Sequence, residues 1–173
     1  MATDMLEKIR NFLRNVTVGE GGDGTLDADD PRLCAAAILV HIIAVDGVVD
    51  DAEKTRLHQV LQANYELDDK ATATLIEEAK KRATEAVDLY GFTSILKRQL
   101  DVDDRRKIVE MMWEMVFADG EVHEFEDNTV WRVTELLGIP TSDRLALRRR
   151  VAHRVNYALE GDTLGEKPET PKN

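Results

Sequence analysis

AVDGVVDDAE at residues 44–53 and FADGEVHEFE at residues 117–126 are two copies of one turn, each lying between apolar helical runs. A shift of 73 residues, from 46 to 119, aligns the aspartate, the glycine and the last glutamate of the two copies. Glycine suits the left-handed backbone that ends a helix, and Asp50, three positions after Gly47, suits the cap of the next helix. Each stretch therefore predicts a helix-turn-helix unit, and the pair predicts an internal pseudo-twofold repeat.

Helical periodicity extends through most of the chain, and no stretch alternates with period two for long enough to predict a strand. Asp30 before Pro31 predicts one helix start, and Asp103 predicts the equivalent start in the second copy. A long helix is predicted over residues 68–89, with Gly91 as the residue that breaks it. The predicted fold class is all-α, a single-domain helical bundle of about seven or eight helices.

Composition divides the chain into four segments. We predict an N-terminal amphipathic helix at 1–15, a Gly/Asp-rich linker at 16–29, a helical domain at 30–160 and a disordered tail at 161–173. The first helix is basic on its polar face, but it is short and lacks tryptophan. Packing against its own domain is therefore favoured over lying on a membrane.

Charge and cysteine content restrict the functional classes. The chain has 34 acidic and 23 basic residues, a formal net charge of −11, which disfavours nucleic acid and anionic lipid as partners. The single cysteine, Cys34, has no partner for an internal disulfide and indicates a reducing compartment. The longest apolar run, 35–45, is too short to span a bilayer, and the first four residues lack the basic start of a signal peptide. We expect a cytoplasmic protein without direct membrane insertion.

The last two helices carry most of the aromatic and arginine signals. Their apolar stripes place Phe125 and Leu145 on buried faces, and Trp113 and Trp131 are interpreted as core or groove lining. The arginines between 144 and 154 are interpreted as a solvated or salt-bridged face, since no aromatic residues alternate with them.

The two turns gather oxygen ligands of the kind that divalent cations need. The candidate metal ligands are Asp46, Asp50, Glu53, Asp119, His123 and Glu126. Neither copy has the acidic spacing of an EF-hand loop, and a histidine in the second copy would favour a transition metal over calcium. Ca²⁺, Mg²⁺, Mn²⁺ and Zn²⁺ all remain open, and no organic cofactor is expected. The alternative is that the acidic side chains only cap helices.

These paired Asp-Gly turns, each after an apolar helix and before Glu53 or Glu126, resemble the TerB-like family of tellurite-resistance proteins. The wider family includes the N-terminal domain of a membrane-anchored DnaJ-type co-chaperone. The resemblance covers residues 30–155 and implies an all-α bundle with an acidic site for divalent metal. It assigns Asp46, Asp50, Asp119 and both glutamates to acidic motif positions, whereas His123 departs from the acid expected there.

Two classes of function follow. In the first, the protein is a cation-binding accessory module of a larger complex, related to stress or tellurite resistance as the resemblance implies. In the second, it is a purely structural protein-interaction domain without a metal site. Both imply a protein partner whose identity is open, and a homodimer is compatible with either. An enzyme ranks below both, because no catalytic triad, Cys/His pair or phosphate loop is visible in the sequence.

Overall fold

The structure, a computed structural model, describes residues 26–45, 47, 49–85, 88–118, 120 and 122–163. These residues form seven α-helices and no strand, so the all-α prediction is confirmed for this part of the chain. The helices are α1 (Pro31–Ala44), α2 (Asp51–Tyr65), α3 (Asp69–Glu85), α4 (Leu89–Gln99), α5 (Val102–Val116), α6 (Glu124–Leu136) and α7 (Thr141–Thr163). In the described segments, no helix is both long and apolar enough to cross a membrane.

Helix α1 is the centre of the bundle because it is apolar on nearly every side. Residues 33–40 are all buried, and the helix packs against α2, α3, α4, α5 and α6. Asp30 begins it by accepting the Arg32 backbone N–H at 2.9 Å, with Pro31 in the first turn. A helix that is hydrophobic all round must be surrounded by others, and α2 to α6 form that shell around α1.

In each helix-turn-helix unit, the second helix packs on the first helix of both units. Helix α2 packs on both α1 and α5, while α6 packs on both α5 and α1. Helix α7 closes the second unit by packing on α5 and α6. This reciprocal arrangement is what an internal repeat would produce, and the repeat itself remains a prediction.

Two predicted helix boundaries were wrong. Gly91 does not break a helix: it lies in the first turn of α4, where its N–H donates to Asp88 Oδ1 at 2.8 Å. The long helix ends earlier, at Glu85, and Leu89 begins the next one. Asp101, not Asp103, caps α5 by accepting the Asp104 N–H at 2.9 Å. In both places an aspartate accepts the backbone N–H of the residue three positions later and thereby begins the helix. This local cap sets the boundary, and the glycine or the other acidic residue does not.

Some exposure predictions were also wrong. Phe125 and Leu145 are 67% and 41% exposed, and Trp131 is 45% exposed, whereas Trp113 is fully buried as predicted. These three residues lie on α6 and α7, on sides of the two helices that no described helix covers. Near the end of the predicted linker, Leu26 packs against the core, and Asp29 accepts the Gln99 side-chain N–H through its carbonyl. The predicted N-terminal helix lies outside the described residues, as do the rest of that linker and most of the tail.

Candidate functional site

The first turn joins α1 to α2. Gly47 has φ +84°, and its N–H donates to the Ala44 carbonyl at 3.0 Å, which ends α1. Asp50 then accepts the Glu53 N–H on Oδ1 at 2.7 Å, while Glu53 Oε2 accepts the Asp50 N–H at 2.9 Å. This reciprocal pair is the capping box predicted from the sequence, and it begins α2.

The second turn repeats that geometry between α5 and α6. Gly120 has φ +82°, and its N–H donates to the Phe117 carbonyl at 3.2 Å. Glu126 Oε2 accepts the His123 N–H at 3.3 Å, as Glu53 does in the first turn. An added Cβ would meet nothing at either glycine, so positive φ and not crowding selects glycine at both positions.

The two glutamates are the most buried acidic groups of the turns. Glu53 is 4% exposed and Glu126 is 2% exposed, whereas Asp50 is exposed and His123 is half-buried. A buried carboxylate needs compensating donors, and the first-turn amides and positive end of a helix provide them. Both glutamates thus have a structural role at a helix N-terminus.

Helix directions indicate where the turns lie relative to each other. Tyr65 at the end of α2 and Arg32 at the start of α1 line the same groove, so these two helix ends lie together. Gln99, two residues before the N-cap of α5, donates its side-chain N–H to the Asp29 carbonyl just before α1 at 2.7 Å, so the starts of α1 and α5 lie together at this end of the bundle. Arg105 Nη1, also near the start of α5, donates to the Leu137 carbonyl at 2.5 Å, which places the end of α6 there as well.

Helices α1 and α5 pack against each other and have 14 and 15 residues. At about 1.5 Å per residue, each is roughly 20 Å long. Because they start at the same end and have nearly equal length, we expect both glycine turns at the opposite end of the bundle. Asp46 and Asp119, two of the predicted metal ligands, lie outside the described residues.

The fit of the described ligands to a metal is incomplete. Among the residues that the structure describes, no three His, Cys, Asp or Glu side chains lie close enough together to hold an ion. Asp50, Glu53 and Glu126 each accept a backbone N–H in a helix cap. A cation site at the turns would therefore have to include Asp46 and Asp119, with the capping carboxylates beside them.

One site was not predicted from the sequence. At the opposite end to the glycine turns, Tyr65, Leu67 and Leu75 line an apolar groove of about 440 Å³ beside Leu26 and Arg32. The groove is formed by parts of α1, α2 and α3 that are far apart in sequence. Periodicity locates the apolar face of each helix but not a gap between them, so only the assembled structure shows it.

These observations define an all-α bundle protein with two matching acidic turns. A family model described as "Tellurite resistance protein TerB" matches residues 32–149, more than half of the chain. The chain belongs to this family, and the resemblance stated from its two turns is confirmed. No curated protein and no solved structure matches it.

Proposed function

We propose that this TerB-family protein is a divalent-cation-binding accessory module that acts within a larger complex in a tellurite or stress response. The proposed ligands are Asp46, Asp119 and the carboxylates of the two capping boxes, with His123 at the rim. The feature that supports this most directly is the common orientation of α1 and α5, given by the Gln99–Asp29 hydrogen bond and the packing of the two helices, from which both turns are expected at one end of the bundle.

Placing both turns at one end of the bundle brings their carboxylates close enough to repel one another. Two carboxylates at about 4 Å repel by roughly 1 to 4 kcal/mol, depending on the local dielectric. A bound cation relieves that repulsion, so a protein with gathered carboxylates gains stability when a cation binds. In the complex, this change in stability or shape is the response of the module to the cation.

The first experiment is a thermal-shift titration of the full chain with Ca²⁺, Mg²⁺, Mn²⁺ and Zn²⁺. A ligand that binds only the folded state raises the melting temperature, and the rise grows with the logarithm of ligand concentration above the dissociation constant. Each titration is compared with NaCl at the same ionic strength, because an acidic chain also gains stability from screening alone. A rise that exceeds the NaCl control supports the proposal.

The second experiment locates the ion. Asp46→Asn and Asp119→Asn should each weaken cation binding by calorimetry, and their effects should be non-additive because they share one ion. Glu77→Gln, which removes an exposed charge on α3, is the matched control and should leave binding unchanged. Additive effects, or no binding of any of the four cations to the wild type, would contradict the shared site.

A second function has its own supporting observation. The capping hydrogen bonds engage Asp50, Glu53 and Glu126, and these explain the turns without a metal. On that basis the alternative is a purely structural protein-interaction domain. It predicts that Asp46→Asn and Asp119→Asn change stability independently and that no divalent cation exceeds the NaCl control.

A further inference from the structure

The apolar groove lies at the end of the bundle opposite to the glycine turns. Leu75, 2% exposed, is its floor, and Leu67 and Tyr65 are its partly buried walls. The exposed methyl of Ala71 lies at its mouth. A volume of about 440 Å³ falls within the range of sites that bind apolar side chains or small ligands, roughly 300–1,000 Å³.

Leu26 lines this groove and packs against the core. Residues 1–25 are therefore covalently attached to the domain through a residue of the groove. Among them, residues 5–13 have apolar side chains at helical spacing: Met5, Leu6, Ile9, Phe12 and Leu13.

The connection between that segment and the groove is short. Residues 14–25 contain four glycines, and a Gly-rich linker of this length has an end-to-end distance of about 20 Å. A tether of this kind maintains an effective concentration in the millimolar range. A weak apolar interaction is then sufficient to keep the segment bound.

Charge also favours the segment as the occupant. Glu66 and Asp68 are exposed at the rim of the groove, and Lys70 is the opposing charge there. Arg32, inside the groove, is neutralised by Asp30 at 2.7 Å. The segment from 5 to 14 has three basic residues against one acidic residue, in a chain whose net charge is −11.

We propose that residues 5–13 dock as an amphipathic helix in this groove of their own chain, with Ile9 and Phe12 against Leu67, Ala71 and Leu75. The groove is then an intramolecular docking site. This inference does not depend on cation binding at the turns, which lie at the other end of the bundle.

The test uses the full chain with a nitroxide label on Thr74→Cys, an exposed position that lines the groove. Cys34 stays unlabelled because it is 1% exposed and burial raises the pKa of its thiol to about 11. Docking predicts that the amide NMR signals of residues 5–13 lose most of their intensity relative to the reduced label.

The tether alone brings the segment near the label, so two variants decide whether it docks. Ile9→Asp places a charge on the apolar stripe and should restore the signals, whereas Asn11→Asp, on the polar face, should not. On the groove side, Ala71→Lys should also restore them, and Ala73→Lys, exposed on α3 outside the groove, should not. Unchanged signals in all four variants would overturn the proposal.

Other occupants give different results. A second sample mixes two kinds of chain: one carries the nitroxide and has natural isotopes, and the other lacks the nitroxide and is enriched in ¹⁵N. Signal loss in this mixture would show that the segment docks on a second copy. In a third sample, vesicles of anionic lipid are added at physiological salt. A return of the signals of residues 5–13 would show that the segment prefers the membrane to the groove. Either result would overturn intramolecular docking, and the absence of both supports it.

Discussion

Glu66 is the only non-glycine residue with positive φ in the described part of the chain, at φ 52° and ψ 42°. It follows α2 and donates its N–H to the Gln62 carbonyl, which ends the helix. After α6, the same left-handed position is occupied by Gly138, with φ 69°. A residue with a Cβ is destabilised by roughly 1–2 kcal/mol in this region. Glu66 therefore ends α2 in a strained backbone conformation.

Glu66→Gly should raise the free energy of unfolding by about 0.5–1 kcal/mol, because relief of strain exceeds the added entropy of the unfolded chain. Gly138→Ala should lower it by about 1 kcal/mol; the new Cβ lies 3.5 Å from Arg105 Nη1, an ordinary contact, so the cost comes from φ. Urea denaturation measures both. Changes of the same sign in the two variants would contradict this account.

His41 is the residue with the clearest dependence on pH. Burial lowers its pKa from the ordinary 6.5, and the charge of Arg132 lowers it further. The unfolded chain then takes up a proton more readily than the folded one. This contribution to stability is complete above about pH 6.5 and is lost as pH falls toward the folded-state pKa.

His41→Gln should therefore reduce the loss of unfolding free energy between about pH 7 and about pH 5, because it removes a group that the unfolded chain protonates more readily than the folded chain. Urea denaturation of both proteins at the two pH values measures the difference. An identical pH dependence in wild type and His41→Gln would show that His41 does not contribute.

At the scale of the element, arginines attach α7 to the rest of the second unit. Arg148 lies over the ring of the buried Trp113, 5.2 Å from its centroid, and 3.7 Å from Asp127 on α6. Arg150 and Arg154 pair with Glu110 and Glu114 on α5. The arginine row interpreted as solvated or salt-bridged is thus salt-bridged at these positions and orients the helix.

Arg148→Ala should lower the free energy of unfolding by about 1–2 kcal/mol, because it removes a cation–π contact over a buried ring and some packing with it. Arg149→Ala is the matched control: the side chain is exposed, so the change should stay within about 0.5 kcal/mol. Equal effects of the two substitutions in urea denaturation would mean that the Trp113 contact contributes nothing.

The N-terminal boundary of the folded domain is a second property of this scale. A chain that begins at Leu26 should melt cooperatively, because it keeps every residue of the described hydrophobic core. A chain that begins at Asp29 should be less stable by about 1–2 kcal/mol, because it also loses the packed Leu26 side chain. Scanning calorimetry compares the two chains. Loss of cooperative melting on removal of residues 1–25 would make the first segment part of the core.

At the scale of the whole molecule, net charge acts against the folded state. The formal net charge is −11, and the excess acidic side chains repel one another in the folded state. The exposed ion pairs each add only about 0–1 kcal/mol to the free energy of unfolding. Raising NaCl from about 0.01 M to about 0.15 M shortens the Debye length from about 30 Å to about 8 Å. Screening should then outweigh the weakening of the ion pairs.

We expect the melting temperature to rise over this range of NaCl, and to rise equally in choline chloride, because screening depends on ionic strength and not on the cation. Differential scanning calorimetry gives both series. A fall in melting temperature would show that the ion pairs of α7 outweigh the net repulsion. A larger rise in NaCl than in choline chloride would indicate a specific site for sodium.

Local rules accounted for most of what could be predicted. The capping box at Asp50 and Glu53, the start of α1 at Asp30 and Pro31, and the left-handed glycines depend on contacts within a few residues, and all are found. Predictions that required knowledge of a neighbour were less reliable. Phe125 and Leu145 follow an apolar stripe, yet none of the helices in the described part of the chain covers them.

The sequence by itself determined the fold class, the two turns, the central role of α1 and the family, because each depends on the order of residues along a helix and its caps. Only the tertiary structure decided that the ends of α2 and α6 meet the starts of α1 and α5, and that Leu26, Leu67 and Leu75 line one groove. Those features arise from contacts between residues distant in sequence. Helix periodicity specifies which face is buried but not which other helix covers it.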